Sequence, residues 1–270
     1  MKMKNKIIAM IVIILAVFST ACSNETKDTA GNDTDESKNY EGTFTVGFDK
    51  EFPPMGFVGD DGAYTGFDLE LAAEVAKRWN YELKLQPIAW DSKDMELETK
   101  SIDCIWNGFT MNGREDKYTW TTPYMANEQV FVVKKDAGIN AMEDLAGKIV
   151  TVQNDSSAEK ALEDRQDLVD SFSNYQKTAD YNAALMELQS GAVDAVAMDS
   201  VVANYQIEKR DDDFVVVEET LAAEEYGVGF LKGNEELRDK VQATLDEMAE
   251  DGTLSEISNK WFGKDVTTIK

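Results

Sequence analysis

Apolar residues along the chain follow two spacings, which predict short strands alternating with helices. Residues 43–48 alternate apolar and polar side chains, as in a strand with one buried face. From Asp68, which we expect to cap a helix, apolar residues recur at helical spacing. The strands 81–85 and 102–106 follow, with a helix near 95–100 between them. This order is typical of an α/β layer structure.

A second unit repeats the scheme between residues 148 and 198. Its predicted elements are the strands 148–152, 171–175 and 193–198 and the helices 156–165 and 181–189. The segment 99–105 (Thr-Lys-Ser-Ile-Asp-Cys-Ile) also matches 190–196 (Ser-Gly-Ala-Val-Asp-Ala-Val) in pattern. Two similar α/β lobes are therefore the simplest layout.

Two further extended segments connect these units. Residues 128–134 and 226–231 predict strands, and an amphipathic helix over 235–251 and a shorter one ending at Trp261 follow. If the C-terminal part packs on the first unit, the chain crosses between lobes twice and leaves a cleft between them. The predicted boundaries are 43–130 and 226–270 for lobe 1 and 131–225 for lobe 2.

The N-terminus has the pattern of an export signal. Three lysines precede the apolar run 7–18, which is shorter than the roughly 20 residues that span a bilayer. Small residues then lead to Cys22, and the whole resembles a bacterial lipoprotein signal over 1–21, with Cys22 as the lipidated residue. An ordinary signal peptide with an incidental cysteine is the alternative. Residues 22–42 are polar and predict a flexible tether.

Composition excludes several functions. The chain has 270 residues, 27 Lys+Arg against 52 Asp+Glu, a net charge of −25 and no histidine. A body this acidic repels nucleic acid, and the lack of histidine removes most triad chemistry and His-ligated zinc. We expect no metal, no cofactor and no enzyme activity. Cys104 lies in an apolar run and predicts a small buried side chain.

Several short motifs lie separated along the chain: Gly47-Phe48-Asp49, Phe52-Pro53-Pro54, Tyr64-Thr65-Gly66-Phe67-Asp68, Gly108-Phe109-Thr110, Met198-Asp199, Tyr226-Gly227-Val228-Gly229 and Lys260-Trp261-Phe262-Gly263. Together and in this order they resemble the extracellular solute-binding proteins of family 3, the polar amino-acid receptors of ABC importers. The resemblance implies a two-lobe, type II periplasmic-binding-protein-like α/β fold. It also implies a monomeric protein of a Gram-positive bacterium, which a lipid anchors to the outer face of the cell membrane. Such a protein delivers its ligand to the transmembrane permease subunits.

An amino acid is a zwitterion, so a closed cleft needs a guanidinium for its carboxylate and a carboxylate for its ammonium. Arg114 is our candidate for the first role and Asp199, after a core strand, for the second. A surface turn for Arg114 and a helix cap for Asp199 are the alternatives. The expected hydrogen-bond donors are Gly108, Thr110, Ser156 and Ser157.

The resemblance also implies residues around the ligand side chain. Phe52 and Trp90 are expected to form aromatic walls, although both could be core residues. Asp49 is expected to favour a donor-bearing side chain, so glutamine or a cationic amino acid is preferred, with cystine open. The sequence departs from the family pattern in a loop before Arg114 that is one residue shorter, and in Asp155, where a glycine is usual.

Two other functions use the same scaffold. One is an enzyme, a dehydratase or hydrolase, in which paired carboxylates do acid–base work. The other is a ligand-sensing module for a separate partner.

Overall fold

The computed structural model describes residues 39–210 and 213–270. The predicted signal peptide 1–21, the predicted lipidation site Cys22 and most of the predicted tether 22–42 lie outside the described residues. Within the described part, no helix is both long and apolar enough to cross a membrane.

The first part of the chain supplies β1 (Gly42–Phe48), β2 (Glu51–Phe52), β3 (Gly56–Val58), β4 (Tyr64–Thr65), α1 (Phe67–Arg78), β5 (Tyr81–Pro87), a 3-10 turn (Trp90–Ser92), α2 (Lys93–Glu98), β6 (Cys104–Ile105) and β7 (Tyr118–Trp120). With the later strand β14 (Gly229–Leu231), they form the five-stranded sheet of lobe 1, in the order β5-β1-β6-β14-β7. Strand β1 pairs in parallel with β5 and β6, and β14 pairs in antiparallel fashion with β6 and β7. A small sheet, β2-β3-β4, lies outside this order.

The elements of lobe 2 are β8 (Met125–Lys134), a 3-10 turn (Met142–Leu145), β9 (Ile149–Gln153), α3 (Ser157–Glu163), α4 (Gln166–Val169), β10 (Asn174–Thr178), α5 (Tyr181–Ser190), β11 (Ala195–Asp199), α6 (Ser200–Lys209), β12 (Phe214–Val216) and β13 (Ala222–Tyr226). Its strands form a second sheet in the order β10-β9-β11-β8-β12, with β13 also paired to β8.

The chain then returns to lobe 1. Strand β14 (Gly229–Leu231) inserts between β6 and β7, and the helices α7 (Glu235–Glu250) and α8 (Thr253–Phe262) follow. Strands β8 and β13 therefore carry the two connections between lobes, and they run side by side as an antiparallel pair. The predicted two-lobe α/β fold with two connecting strands is confirmed.

Helix α1 shows how local sequence forms these elements. Its buried side chains include Leu71, Ala72, Val75 and Ala76, which recur at three- and four-residue spacing and pack into the lobe 1 core. Acidic residues occupy its first turn and basic residues its last, as the helix dipole favours.

The repeated segment found in the sequence has the same role in both lobes. A carboxylate oxygen of Asp103 accepts from the backbone N–H of Thr45 at 2.7 Å, and one of Asp194 accepts from that of Ile149 at 2.8 Å. In each lobe the aspartate N–H donates in return to the carbonyl of the same residue, at 2.8 Å. The aspartate thus aligns the start of one core strand with its parallel neighbour.

Two local predictions are wrong. Asp68 does not cap α1, because the helix begins one residue earlier and the side chain is fully buried in lobe 1. The predicted strand 171–175 begins later, at Asn174, since the N–H groups of Ser171 and Phe172 bond carbonyls of α4 and close its last turn. Cys104 is buried as predicted.

Candidate ligand-binding cleft

The floor of the cleft between the lobes is formed by the paired strands β8 and β13. Because side chains alternate along a strand, Asn127 and Gln129 share one side of β8, as Glu224 and Tyr226 share one side of β13. Asn127 lies directly opposite Glu224 in the pairing. All four side chains are buried, so the two connecting strands place polar groups at the centre of the molecule.

Asp199 lies at the end of β11 and points into this polar floor. Its Oδ1 accepts from the Tyr226 hydroxyl at 2.6 Å and from the Gln129 amide at 2.8 Å, and its Oδ2 accepts from the Tyr181 hydroxyl at 3.1 Å. Asp199 occupies the cap position of α6, but its side chain makes no capping hydrogen bond. The carboxylate therefore bonds side chains of the polar floor and does not cap the helix.

A second carboxylate, Glu224, lies beside Asp199. The amides of Asn127 and Gln129 each donate to both carboxylates, and the Thr110 hydroxyl donates to Glu224 Oε2 at 2.9 Å. Burial, followed by the charge of Glu224, raises the pKa of Asp199 well above its usual range.

Arg114 reaches the cleft from the loop after β6. Its guanidinium donates to the carbonyl of Thr110 and, across the cleft, to the carbonyl of Asp155, both at 3.3 Å. It also lies 5.4 Å from the centre of the Phe109 ring. Among the described residues it forms no ion pair with a carboxylate, so its positive charge remains available to an anionic group.

The two serines at the start of α3 have separate partners. The Ser156 hydroxyl caps the helix by accepting from the N–H of Glu159 at 3.1 Å, which confirms the predicted helix start. The Ser157 hydroxyl accepts from the Gln129 amide at 2.9 Å. Through Gln129, Ser157 joins the cluster that contains Asp199.

A cavity of about 500 Å³ opens where the lobes meet, and both Asp49 and Trp90 line it. Trp90 is 9% exposed and packs edge-on against Phe109, so it is both a core residue and part of the cavity wall. The cavity is of a size that holds a small molecule. Its other charged lining residues are Lys50, Glu51, Asp91 and Asp180.

Asp49 joins the lobes directly. Its Oδ2 accepts from the Gln153 amide of lobe 2 at 2.7 Å, and its Oδ1 from the N–H of Glu51 at 2.9 Å. Burial raises the pKa of Asp49 to about 6, against the opposing effect of these hydrogen bonds.

Phe52 and Gly108 pack closely against each other. The Phe52 ring is 5.8 Å from that of Tyr181 in lobe 2, and the two rings are tilted. Gly108 has a φ of 57° and is packed so closely that an added Cβ would lie 3.0 Å from the Phe52 ring and 3.1 Å from that of Tyr226. Glycine is therefore required at this position. Its N–H donates to Asp68 at 2.5 Å and not into the cleft.

The structure thus brings Thr110, Ser157 and Asp199 into one cluster with Arg114 at its edge. It places Asp49 and Trp90 at a neighbouring cavity. The sequence interpretation missed five buried members of the cluster: Asn127, Gln129, Tyr181, Glu224 and Tyr226. A partial signal existed for Gln129 and Tyr226, which lie in the predicted extended segments 128–134 and 226–231, whereas Asn127 and Glu224 lie just outside those segments.

Comparison with known proteins agrees with this architecture. The family model for bacterial extracellular solute-binding proteins, family 3, matches residues 44–264. The chain belongs to this family. That result confirms the family resemblance found in the sequence.

Individual members of family 3 match over most of their length. The L-cystine-binding protein TcyJ of Escherichia coli is 36% identical, over 84% of this chain and 85% of the relative. The L-cystine-binding protein TcyA of Bacillus subtilis is 32% identical, over 98% and 100%. A Streptococcus pneumoniae ABC uptake transporter substrate-binding protein, solved with bound histidine, superposes with a TM-score of 0.80 at 37% identity, over 84% and 94%.

Proposed function

We propose that this protein is the extracytoplasmic binding component of an ABC importer, which captures a polar amino acid between its lobes and delivers it to a membrane permease. The observation that supports the proposal is a guanidinium that reaches from lobe 1 to lobe 2 and is linked, through Thr110 and Glu224, to a buried carboxylate at the end of β11. Arg114 has no carboxylate partner among the described residues, and Asp199 has no cationic one. A zwitterion supplies both missing charges.

Each end of the ligand has a defined set of contacts. The ligand carboxylate binds the fork of Arg114, next to the start of α3; Gly108 and Thr110, which were expected as donors, instead donate to Asp68 and Glu224. The ammonium binds Asp199. In water these charges interact weakly, but within a closed cleft the lower dielectric strengthens them. Closure is therefore favoured only when a ligand neutralises the cleft.

The ligand side chain lies toward the cavity lined by Asp49 and Trp90. Four carboxylates and one ammonium line that cavity, which favours a side chain with donor groups. Glutamine, a cationic amino acid and the distal amino group of cystine all present such donors. The relatives that bind cystine and histidine are consistent with this range.

Attachment to the outer face of the membrane through a lipid on Cys22 completes the proposal. The family is extracellular by description, and both TcyJ and the Streptococcus pneumoniae protein are named for binding. Radiolabelled palmitate should enter the protein in a bacterial host, and a Cys22→Ala variant should lose the label.

A thermal-shift screen tests ligand capture. The chain from Ser23 onward is heated with each of the twenty amino acids and with cystine. A ligand at about 100 times its Kd adds roughly 2.7 kcal/mol to the stability, or several degrees in Tm. A shift confined to a few polar amino acids is expected, and no shift with any of them would overturn the proposal.

A further inference from the structure

The two carboxylates of the cleft floor lie close enough to share their hydrogen-bond donors. The Gln129 amide nitrogen is 2.8 Å from Asp199 Oδ1 and also 2.8 Å from Glu224 Oε1. The Asn127 amide nitrogen is 3.1 Å from the same atom of Asp199 and 2.6 Å from that of Glu224. Asp199 is 2% exposed and Glu224 is 5% exposed. They are thus a buried pair of like charges.

Every side chain that bonds this pair is neutral. The hydroxyls come from Thr110, from Tyr181 of α5 and from Tyr226 of β13, and the amides come from β8. Burial and the adjacent carboxylates raise the pKa of Tyr181 and Tyr226 well above the usual phenol value, so both stay protonated. Tyr124, whose ring neighbours that of Tyr226, is held neutral in the same way.

No cation of the part of the chain that the structure describes compensates the pair. Among the described residues, neither Asp199 nor Glu224 forms an ion pair with a lysine or arginine. One acceptor is also left over, because Gln129 Oε1 is buried and has no hydrogen-bond partner. An unpaired acceptor beside two carboxylates is suited to a group that carries several N–H donors and a positive charge.

Asp199 lies buried beside a second carboxylate in the empty, closed cleft. Removal from water and the charge of Glu224 both favour the protonated form of Asp199, so the pair retains one proton, on Asp199. An arriving ammonium changes the balance, because its charge stabilises both carboxylates in the ionised form.

We propose that Glu224 and Asp199 together form the ammonium-binding unit, and that the ligand's ammonium replaces a proton that the pair holds when the cleft is closed and empty. The proton leaves to solvent. This inference rests on the proposed function and adds to it a second ammonium-binding residue and a link between ligand affinity and pH.

Because the ligand replaces a proton, its affinity depends on pH in a defined direction. While the pH lies below the raised pKa of Asp199 in the empty cleft, binding releases a proton, so affinity rises with pH by up to about tenfold per unit. Above that pKa Asp199 is already ionised and the affinity no longer changes. An acidic medium therefore favours release of the ligand.

Calorimetry measures the exchange directly. The chain from Ser23 onward, which retains every described residue, is titrated at pH 6 with L-glutamine, L-arginine and L-cystine in two buffers that differ in ionisation enthalpy. The difference in heat gives the number of protons released. We expect between about 0.5 and 1 proton per ligand for the wild type.

Glu224→Gln keeps the size of the side chain and removes one carboxyl, so it should release less than about half as many protons and bind more weakly. Glu225→Gln is the matched control, because Glu225 is its exposed neighbour on β13. Comparison of the double variant Asp49→Asn, Glu224→Gln with Glu224→Gln alone shows how many of the released protons come from Asp49.

Two results would overturn the inference alone: saturable binding by the wild type without proton release, and release that is unchanged in Glu224→Gln. The wild-type measurement decides the first even if the variant does not fold. Failure of all three amino acids to bind would instead contradict the proposed function, and this inference with it.

Discussion

Lys93 of lobe 1 forms an ion pair with Asp155 of lobe 2 across the mouth of the cleft. The ammonium also donates to the carbonyls of Trp90 at 3.2 Å and of Asp155 at 3.3 Å. Lys93 is only 1% exposed, and burial lowers its pKa while Asp155 opposes that shift. The residues belong to different lobes, so this contact exists only while the cleft is closed.

The ion pair should therefore stabilise the closed form. Lys93→Met preserves the apolar stem but removes the charge, and we expect ligand Kd to increase by about three- to tenfold. The unliganded variant should also have a larger radius of gyration by small-angle X-ray scattering. Lys117→Met is the control, since Lys117 pairs with Asp94 within lobe 1.

A double-mutant cycle isolates the contact between the lobes. Asp155 has a φ of 57°, a backbone conformation that asparagine tolerates, so Asp155→Asn breaks the pair without new strain. Lys93→Met and Asp155→Asn should together cost less in affinity than the sum of their separate effects. Strict additivity, with an unchanged radius of gyration, would contradict a role in closure.

Asp49 should make stability depend on pH. Its pKa is raised to about 6 in the folded state, so its contribution to stability is fully present below its unfolded value, near 3.8, and is lost as the pH rises through 6. The amide of Asp49→Asn does not ionise, so the variant does not lose this stability as the pH rises. Denaturant unfolding should show the variant gaining roughly 1–3 kcal/mol relative to wild type between pH 4 and pH 8.

An exposed aspartate provides the comparison for that measurement. Asp91→Asn, at the rim of the same cavity, should show no such difference between the two pH values. If the difference in unfolding free energy between Asp49→Asn and wild type is the same at pH 4 and at pH 8, the account of Asp49 is wrong.

Asp68 should stabilise the loop that contains Gly108. Its Oδ2 accepts from the Gly108 N–H at 2.5 Å and from the Tyr124 hydroxyl at 2.9 Å. Asp68→Ala leaves both buried donors without an acceptor, which we expect to cost about 2–4 kcal/mol of unfolding free energy by denaturant titration. The exposed Asp60→Ala should cost less than about 0.5 kcal/mol. Equal costs would show that these bonds contribute little.

The sequence was sufficient for features that depend on local pattern. Apolar periodicity predicted the strand and helix order, and the repeated apolar-Asp segments predicted two similar lobes. Asp68 shows where such reasoning fails, because its helix-start pattern is local but its partners, Gly108 and Tyr124, are distant in the chain.

The cleft floor was hidden for the same reason. A buried Asn127 or Glu224 looks like an exposed polar residue of a strand until its opposite neighbour is known. Lys93 and Asp155 are separated by 62 positions, and nothing near either residue indicates the other. Contacts between lobes require the three-dimensional arrangement.

The central claim is that Arg114 and Asp199 hold the two ends of one amino acid. Isothermal titration of the chain from Ser23 onward with the amino acid that gives the largest thermal shift tests it most directly. We predict one site per chain and a Kd that increases by well over about tenfold in both Arg114→Ala and Asp199→Ala, because each leaves a charge unpaired. The exposed Arg165→Ala and Asp170→Ala should bind as the wild type does. Near-wild-type affinity in both cleft variants would contradict the account.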